Sequence, residues 1–172
     1  MPDESVENDL WRFSQAFYHF PGVASALIAL QDRAGLDVNL MLFALWLGVT
    51  GRSRLDHADL AAAERAVCDI RAEMIVPLRT LRRRLKGIPD NDVQSLREGV
   101  KALELAAEKL AQDRLAGLAG PADAEISTEA CLALAQANLA LYLGPPSFGS
   151  AEAMVIRNAV AELAVDAVRV WR

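Results

Sequence analysis

The sequence has few of the residues from which metal centres, disulfide frameworks and nucleophilic active sites are built. Only two cysteines and two histidines occur in 172 residues, and their spacing matches neither a zinc motif nor a disulfide scaffold. It also lacks a Gly-x-Ser-x-Gly elbow, a glycine-rich phosphate loop and Glu-x-x-His motifs. The sequence therefore assigns no catalytic residue, no metal and no cofactor, although a triad formed only in the folded chain stays an open alternative. We interpret Cys68 and Cys131 as reduced core residues.

A membrane-spanning run and an excess of positive charge are also missing. The most apolar stretch, 36–49, is shorter than the roughly 20 residues that cross a bilayer. The first ten residues are acidic and lack the apolar segment of a signal peptide. The formal net charge is −5, which gives no reason to expect nucleic-acid binding. We expect a cytoplasmic bacterial protein with no membrane partner.

What the chain does contain favours helix. It is 53% hydrophobic, and alanine and leucine dominate while glycine and proline are sparse. No segment alternates apolar and polar residues as a half-buried strand would. We predict an acidic tail over residues 1–7 and one all-α domain over 8–172, a bundle of six to seven helices.

Residues 37–49 form the predicted centre of this bundle. Asp37 is suited to cap the helix, which then continues almost without a polar residue to Val49. A helix that is apolar on all sides must be buried on all sides. One alternative is that Asn39, which shares a face with Phe43 and Trp46, lines a ligand pocket.

Two longer helical patterns, 56–86 and 90–118, are separated by Gly87-Ile88-Pro89-Asp90 and predict an antiparallel hairpin. Pro77 is expected to kink the first arm. Each arm carries one apolar stripe that we expect to be buried. The first stripe is Leu60, Ala63, Val67, Ile70, Met74, Leu78, Leu81 and Leu85, and the second is Val93, Leu96, Val100, Leu103, Ala107 and Leu110.

The first and the last helices complete the predicted bundle. A helix over residues 8–19 carries an unusual amount of aromatic surface, which suggests a subunit interface or a ligand pocket, and Trp11, Phe17 and Tyr18 are the interface candidates. The simpler alternative is that this helix packs between two other helices of the bundle. Ser127 or Thr128 can cap a further helix, and Ser150 can cap a last one that reaches the C-terminus.

A basic run, Arg79, Arg82, Arg83, Arg84 and Lys86, is the sharpest charge feature. The simple interpretation is a solvated helix end, where cations complement the helix dipole. The functional alternative is an anion site. In that case Arg79, Arg82 and Arg83 would hold the anionic head of an apolar ligand whose body lies against Asn39, Phe43 and Trp46.

Several motifs resemble the opening of a known family. They are Leu10-Trp11-Arg12-Phe13-Ser14, Phe17-Tyr18, Pro21-Gly22-Val23, Leu30-Gln31-Asp32, Asp37-Val38-Asn39-Leu40, Leu42-Phe43, Leu45-Trp46-Leu47 and the segment from Pro77 to Lys86. The family is an uncharacterised proteobacterial group of small cytoplasmic proteins of unknown function. The resemblance covers about residues 10–86 and implies a bacterial source and an all-helical unit. It carries over no activity and no catalytic residue.

The sequence thus favours a non-catalytic module that binds a protein partner or itself. The alternative is an enzyme or carrier with an interhelical pocket for an apolar ligand with an anionic head group. Nucleic-acid binding through the basic run at 79–86 is a weaker alternative, because no aromatic side chains are interleaved with the cations.

Overall fold

A computed structural model describes residues 9–123, 125–144, 151–152 and 154–158. The described chain is helical and contains no strand, which confirms the all-α prediction. Residues 151–152 and 154–158 are also helical, whereas the predicted tail at 1–7 and the predicted helix beyond 158 lie outside the described residues. The elements are α1 Asp9–Tyr18, α2 Val23–Ala34, α3 Val38–Val49, α4 His57–Ile70, a π-helical segment Arg71–Ile75, α5 Val76–Leu85, α6 Asn91–Ala116 and α7 Thr128–Leu143.

Helix α3 lies at the centre of the fold, as predicted. The Asp37 carboxylate accepts a hydrogen bond from the Asn39 N–H at 2.8 Å and caps the helix. Every residue from Asn39 to Val49 is buried. Helix α7 packs closest, because a Cβ atom on Gly48 would lie 2.2 Å from the backbone N and Cα of Ala135. Only glycine permits the two backbones to approach this closely.

One buried side chain fixes α7 to the chain that leaves α3. Asn138 is fully buried, and its Oδ1 accepts from the Leu55 N–H at 2.8 Å. Its Nδ2 donates to the carbonyl oxygens of Ser53 at 2.9 Å and Ala44 at 3.2 Å. These bonds satisfy backbone groups that the α3–α4 connection would otherwise bury without partners.

The predicted hairpin is present, formed by α4, the π-helical segment and α5 against α6. Arg114 pairs with Asp69 at 2.9 Å toward one end, and Gln94 donates to the Leu85 carbonyl at 3.0 Å beside the turn. Between them, Arg82 pairs with Glu104. These contacts require the two arms to run antiparallel.

The first arm contains a π-helical turn just before Pro77, where the sequence predicted a simple kink. A proline inside a helix lacks an N–H, and its ring clashes with the carbonyl four residues earlier. The five residues Arg71–Ile75 widen into a π-helix just before it, where the Val76 N–H bonds the Arg71 carbonyl. The extra residue in this turn shifts the helix register. As a result Ile75 is buried at 2% exposure, and Met74 is 45% exposed.

Several side chains predicted to be buried are exposed instead. On α6 the buried residues include Val100, Glu104, Ala107 and Ala111, so the leucine line beside them is turned outward. The cause is that the small alanines and the ion-paired Glu104 form the contact with the first arm. Cys68 is also exposed, whereas Cys131 is buried as expected. The wrongly predicted apolar residues are Met74, Leu81, Leu96, Leu103 and Leu110.

Neither a membrane-spanning helix nor a group of metal ligands is found in the described part of the chain. None of its helices is both long and apolar enough to cross a membrane. Its histidine, cysteine and carboxylate side chains form no group that could hold a metal ion.

Candidate functional site

The hairpin carries two rows of exposed apolar side chains, which we call the outer apolar face. Within each row the spacing is seven residues, which on α6 keeps Leu96, Leu103 and Leu110 on one side of the helix. Leu96 and Leu103 are each 61% exposed, and the other four are 42–45% exposed. The rows are Met74, Leu81 and Ile88 from the first arm and its turn, and Leu96, Leu103 and Leu110 from α6.

The two rows lie level with each other. The contacts Asp69–Arg114, Arg82–Glu104 and Leu85–Gln94 set the alignment of the arms. In that alignment Leu81 is opposite Leu103, Met74 is opposite Leu110, and Ile88 is opposite Leu96. The rows therefore form a strip that follows the length of the hairpin.

The strip faces away from the rest of the fold. On the first arm Arg79 reaches α2, donating to Gln31 at 2.8 Å, and on α6 the buried Gln112 donates to Asn39 of α3 at 3.0 Å. Leu81 is two residues from Arg79 and Leu103 is nine residues from Gln112, so each is about 180–200° around its helix from these inward positions at 3.6 residues per turn. Both rows are consequently on the side that no other described helix covers.

The basic run makes ion pairs within the chain. Arg79 donates to Glu104 at 3.0 Å and to Glu108 at 2.8 Å, and Arg82 donates to both oxygens of Glu104. Arg83 pairs with Asp32 of α2 at 2.9 Å. The arginines that sequence reasoning offered as an anion site thus join α5 to α6 and α2.

Glu104 is the centre of these ion pairs. Its side chain is only 6% exposed. Burial by itself raises the pKa of this carboxyl, but the hydrogen bonds from Arg82 and Arg79 outweigh burial and hold the pKa below its usual value. Glu104 is therefore ionised at neutral pH and neutralises two cations at once.

The ligand-pocket residues predicted from α3 are not brought together. Phe43 and Trp46 are 3% and 2% exposed, pack on each other at 6.2 Å between ring centroids, and border neither of the two described cavities. The Arg52 guanidinium lies 4.5 Å from the Trp46 ring centroid. Of the predicted set, only Asn39 and Arg79 share a cleft, which also contains Arg71, Asp37 and Glu64.

The aromatic side chains of α1 are largely covered within the chain. Phe17 is fully buried and stacks on Phe13 with 5.5 Å between centroids. Trp11 is 9% exposed and Tyr18 is 39% exposed. Phe17 is therefore a core residue instead of an interface residue, and a subunit contact through α1 would use little more than Tyr18.

Trp11 and Tyr18 instead border a cavity between α1, α3 and α6, which we call the α1–α3–α6 cavity. Its volume is about 280 Å³. Burial, with a smaller effect of the Glu108 charge, raises the pKa of Tyr18 to about 12. The lining residues are Trp11, Ser14, Gln15, Tyr18, Val38, Asn39, Leu42, Leu105, Glu108 and Gln112.

Sequence reasoning missed several of these residues. Glu108 and Gln112 belong to no motif, and Ser14 belongs to a motif of the family resemblance that carries over no role. Only the packing of α1 and α3 on α6 brings the three together. The outer apolar face did have a signal, because Leu96, Leu103 and Leu110 repeat every seven residues. That repeat was assigned to the core, since spacing alone does not tell which apolar stripe of a helix is covered.

The fold and its surfaces define an all-helical protein in which the described residues assemble no metal centre. The chain belongs to the family described as "Protein of unknown function (DUF2390)", whose model matches residues 9–115. This match confirms the predicted membership of an uncharacterised helical family; the proteobacterial source stays a prediction. The matched range contains the whole outer apolar face and the whole α1–α3–α6 cavity. No curated protein and no solved structure matches the chain.

Proposed function

We propose that this protein is a non-catalytic helical module that associates with a second copy of itself through the outer apolar face. The observation that carries the proposal is the exposure of six large apolar side chains in two level rows. Exposed apolar strips of this kind are costly in water and mark interaction sites. The predicted cytoplasmic location agrees with this role and is proposed with it.

The hairpin is large enough for a stable dimer contact. Helix α6 has 26 residues, which corresponds to about 39 Å at 1.5 Å per residue. Two packed helices present a surface about 20 Å wide, since each has a diameter of about 10 Å. The whole hairpin thus offers about 800 Å² per copy, the size of a standard protein–protein interface, and the outer apolar face, about 21 Å long from Leu96 to Leu110, forms the central half of that area.

The sequence of α6 is complementary to itself when reversed. If two α6 helices pack antiparallel around Leu103, Leu96 meets Leu110 of the second copy, and Asp92 lies opposite Arg114 of the second copy. Arg114 also holds Asp69 of its own chain at 2.9 Å, so it would lie between two carboxylates. A twofold contact requires a surface that complements itself in this way, which favours a second copy over an unrelated partner.

Small residues beside the leucines permit a close contact. Gly99 and Ala106 alternate with Leu96, Leu103 and Leu110 at steps of three and four residues. This is the spacing at which helices interdigitate with a shallow crossing angle. A Cβ atom on Gly99 would meet nothing within 4 Å in the single chain.

The two sequence-based alternatives receive less support. An anionic head group at Arg79, Arg82 or Arg83 would have to displace carboxylates that already pair with these arginines. Nucleic-acid phosphates would have to do the same at these three arginines, although not at Arg84 and Lys86. We therefore prefer the interaction module to a carrier or a nucleic-acid-binding protein.

The test is the oligomeric state of the full chain measured by analytical ultracentrifugation. We expect a species of twice the 18.6 kDa chain mass, and we expect Leu103→Glu to give the monomer because a charge would face the twofold contact. The matched control is Ile28→Glu, which changes an equally bulky side chain that is 51% exposed on α2, and it should leave the dimer intact.

Circular dichroism of both variants would establish that they are folded. A wild-type chain that stays monomeric at several hundred micromolar would contradict the proposal. So would a folded Leu103→Glu variant that dimerises as well as the wild type, because the contact would then lie elsewhere.

A further inference from the structure

The α1–α3–α6 cavity points to a second property that is independent of self-association. We propose that it is a binding site for an uncharged, planar nitrogen heterocycle of one or two rings, such as a free nucleobase or nicotinamide. The three features that carry this inference are a row of buried amides, the charge balance of the walls, and the aromatic and aliphatic side chains around them.

A row of buried polar side chains forms one wall. The Ser14 Oγ lies 2.9 Å from the Leu10 carbonyl oxygen and 2.8 Å from Gln112 Oε1, and its single proton serves one of these two acceptors. Gln112 Nε2 donates to Asn39 Oδ1 at 3.0 Å. Ser14, Gln112 and Asn39 are 1%, 2% and 5% exposed. Each of the two amide nitrogens keeps at least one N–H that donates to no described residue.

Asn39 and Gln112 both border the cavity, so a ligand acceptor placed there would complete their hydrogen bonding. Side-chain amides pair well with the adjacent donor and acceptor atoms on the edge of a planar nitrogen heterocycle. This feature selects for a heterocycle or ring amide over a hydrocarbon.

The charge balance selects for a neutral ligand. Among the described residues that line the cavity, Glu108 is the only charged group, and Arg79 donates to its carboxylate at 2.8 Å. A ligand anion would be repelled by Glu108 and would meet no unpaired cation in the lining. A ligand cation would have to compete with Arg79 for the same carboxylate.

The remaining walls suit a flat ring. Trp11 and Tyr18 are seven residues apart on α1, about 10.5 Å at 1.5 Å per residue, and Leu42 and Leu105 border the same space. Aromatic and aliphatic surfaces of this kind bind planar rings through apolar contact and stacking. A volume of about 280 Å³ lies just below the range of drug-sized sites, which limits the ligand to one or two rings.

The test uses four probes on the full chain, followed by ¹H–¹⁵N NMR. Adenine and nicotinamide are neutral and planar, benzoate is anionic, and benzylamine is cationic. We expect at least one neutral probe to cause saturable shifts at the side-chain amides of Asn39 and Gln112 and at the Trp11 indole. Benzoate and benzylamine at the same concentration should cause none.

A matched pair of variants locates the site. Leu105→Trp, at a position 49% exposed, fills the cavity and should abolish the shifts. Leu103→Trp adds the same bulk two residues away on the outer apolar face and should leave them intact. The inference is overturned if neither neutral probe causes saturable shifts, if a charged probe binds as well, or if Leu105→Trp binds like the wild type.

Two variants, Leu103→Glu and Leu105→Trp, separate this inference from the proposed function. Loss of dimerisation in Leu103→Glu tests the outer apolar face alone, and loss of probe binding in Leu105→Trp tests the cavity alone. Either result can fail while the other holds.

Discussion

Replacing Gly48 by alanine tests whether α3 and α7 are as closely packed as the structure shows. The new Cβ atom would lie 2.2 Å from the Cα and N atoms of Ala135 and 2.7 Å from its Cβ. Ordinary carbon contacts are about 3.5–4.0 Å, so the two helices would have to separate by more than about 1 Å. The two nearest atoms are the backbone N and Cα of Ala135, so no side-chain rotation can relieve the contact.

The magnitude follows from two opposing effects. Overpacking a well-packed core costs about 1–3 kcal/mol, and the upper end applies here because α3 is buried over its whole length. Alanine is favoured over glycine inside a helix by about 1 kcal/mol. The expected net loss in the free energy of unfolding is therefore about 2 kcal/mol, or a fall in Tm of roughly 4–8 °C for a chain of this size.

Urea unfolding followed by circular dichroism measures this loss. The matched control is Gly99→Ala, also inside a helix but with open space around the new atom, which should stabilise the chain by up to about 1 kcal/mol. Both changes are made in the Leu103→Glu background, so that self-association does not contribute. A Gly48→Ala chain as stable as its parent would refute the close packing of α3 on α7.

Two further predictions concern buried polar groups. Glu104→Ala leaves Arg79 and Arg82 without their shared carboxylate and should lower the free energy of unfolding by about 2–3 kcal/mol, less than for a fully buried pair because both arginines are partly exposed. The pKa of Glu104 is held below its usual 4.5. The stability that the Glu104 carboxylate contributes is therefore complete above about pH 4.5 and is lost as the pH falls through the lower pKa of the folded state. Glu104→Gln should weaken that acid dependence in urea titrations between pH 3 and 7. Asn138→Ala removes three hydrogen bonds and should cost about 2–4 kcal/mol, and a loss below 1 kcal/mol would show that Leu55 and Ser53 find other partners.

The predictions that succeeded depend on local chemistry. Asp37 and Ser127 accept hydrogen bonds from first-turn N–H groups, as predicted for capping residues. Asp90 caps α6 in the same way, and Gly35 ends α2 in the left-handed conformation at φ 65°. Each of these signals acts within a few residues of the chain, so it can be read before the tertiary contacts are known.

The predictions that failed needed information about neighbours. Spacing placed Leu103 and Ala107 in one apolar stripe of α6, but it did not tell which edge of that stripe meets the first arm. Glu104 determines which side of α6 meets the first arm, because its two arginine partners lie on that arm, more than twenty residues away in the sequence. Cys68 has apolar neighbours in sequence, yet it faces solvent because its side of α4 is uncovered.

The sequence by itself determined the helical class, the burial of the central helix and the antiparallel hairpin. Composition, capping residues and a helix apolar on every side leave few alternatives, because local hydrogen bonding and the hydrophobic effect act on each segment alone. Only the tertiary structure decided which apolar rows stay exposed, where the basic run finds its carboxylates, and how Asn39, Gln112 and Ser14 meet. These features depend on the relative rotation of packed helices, which a register shift of one residue at the π-helical turn is enough to change.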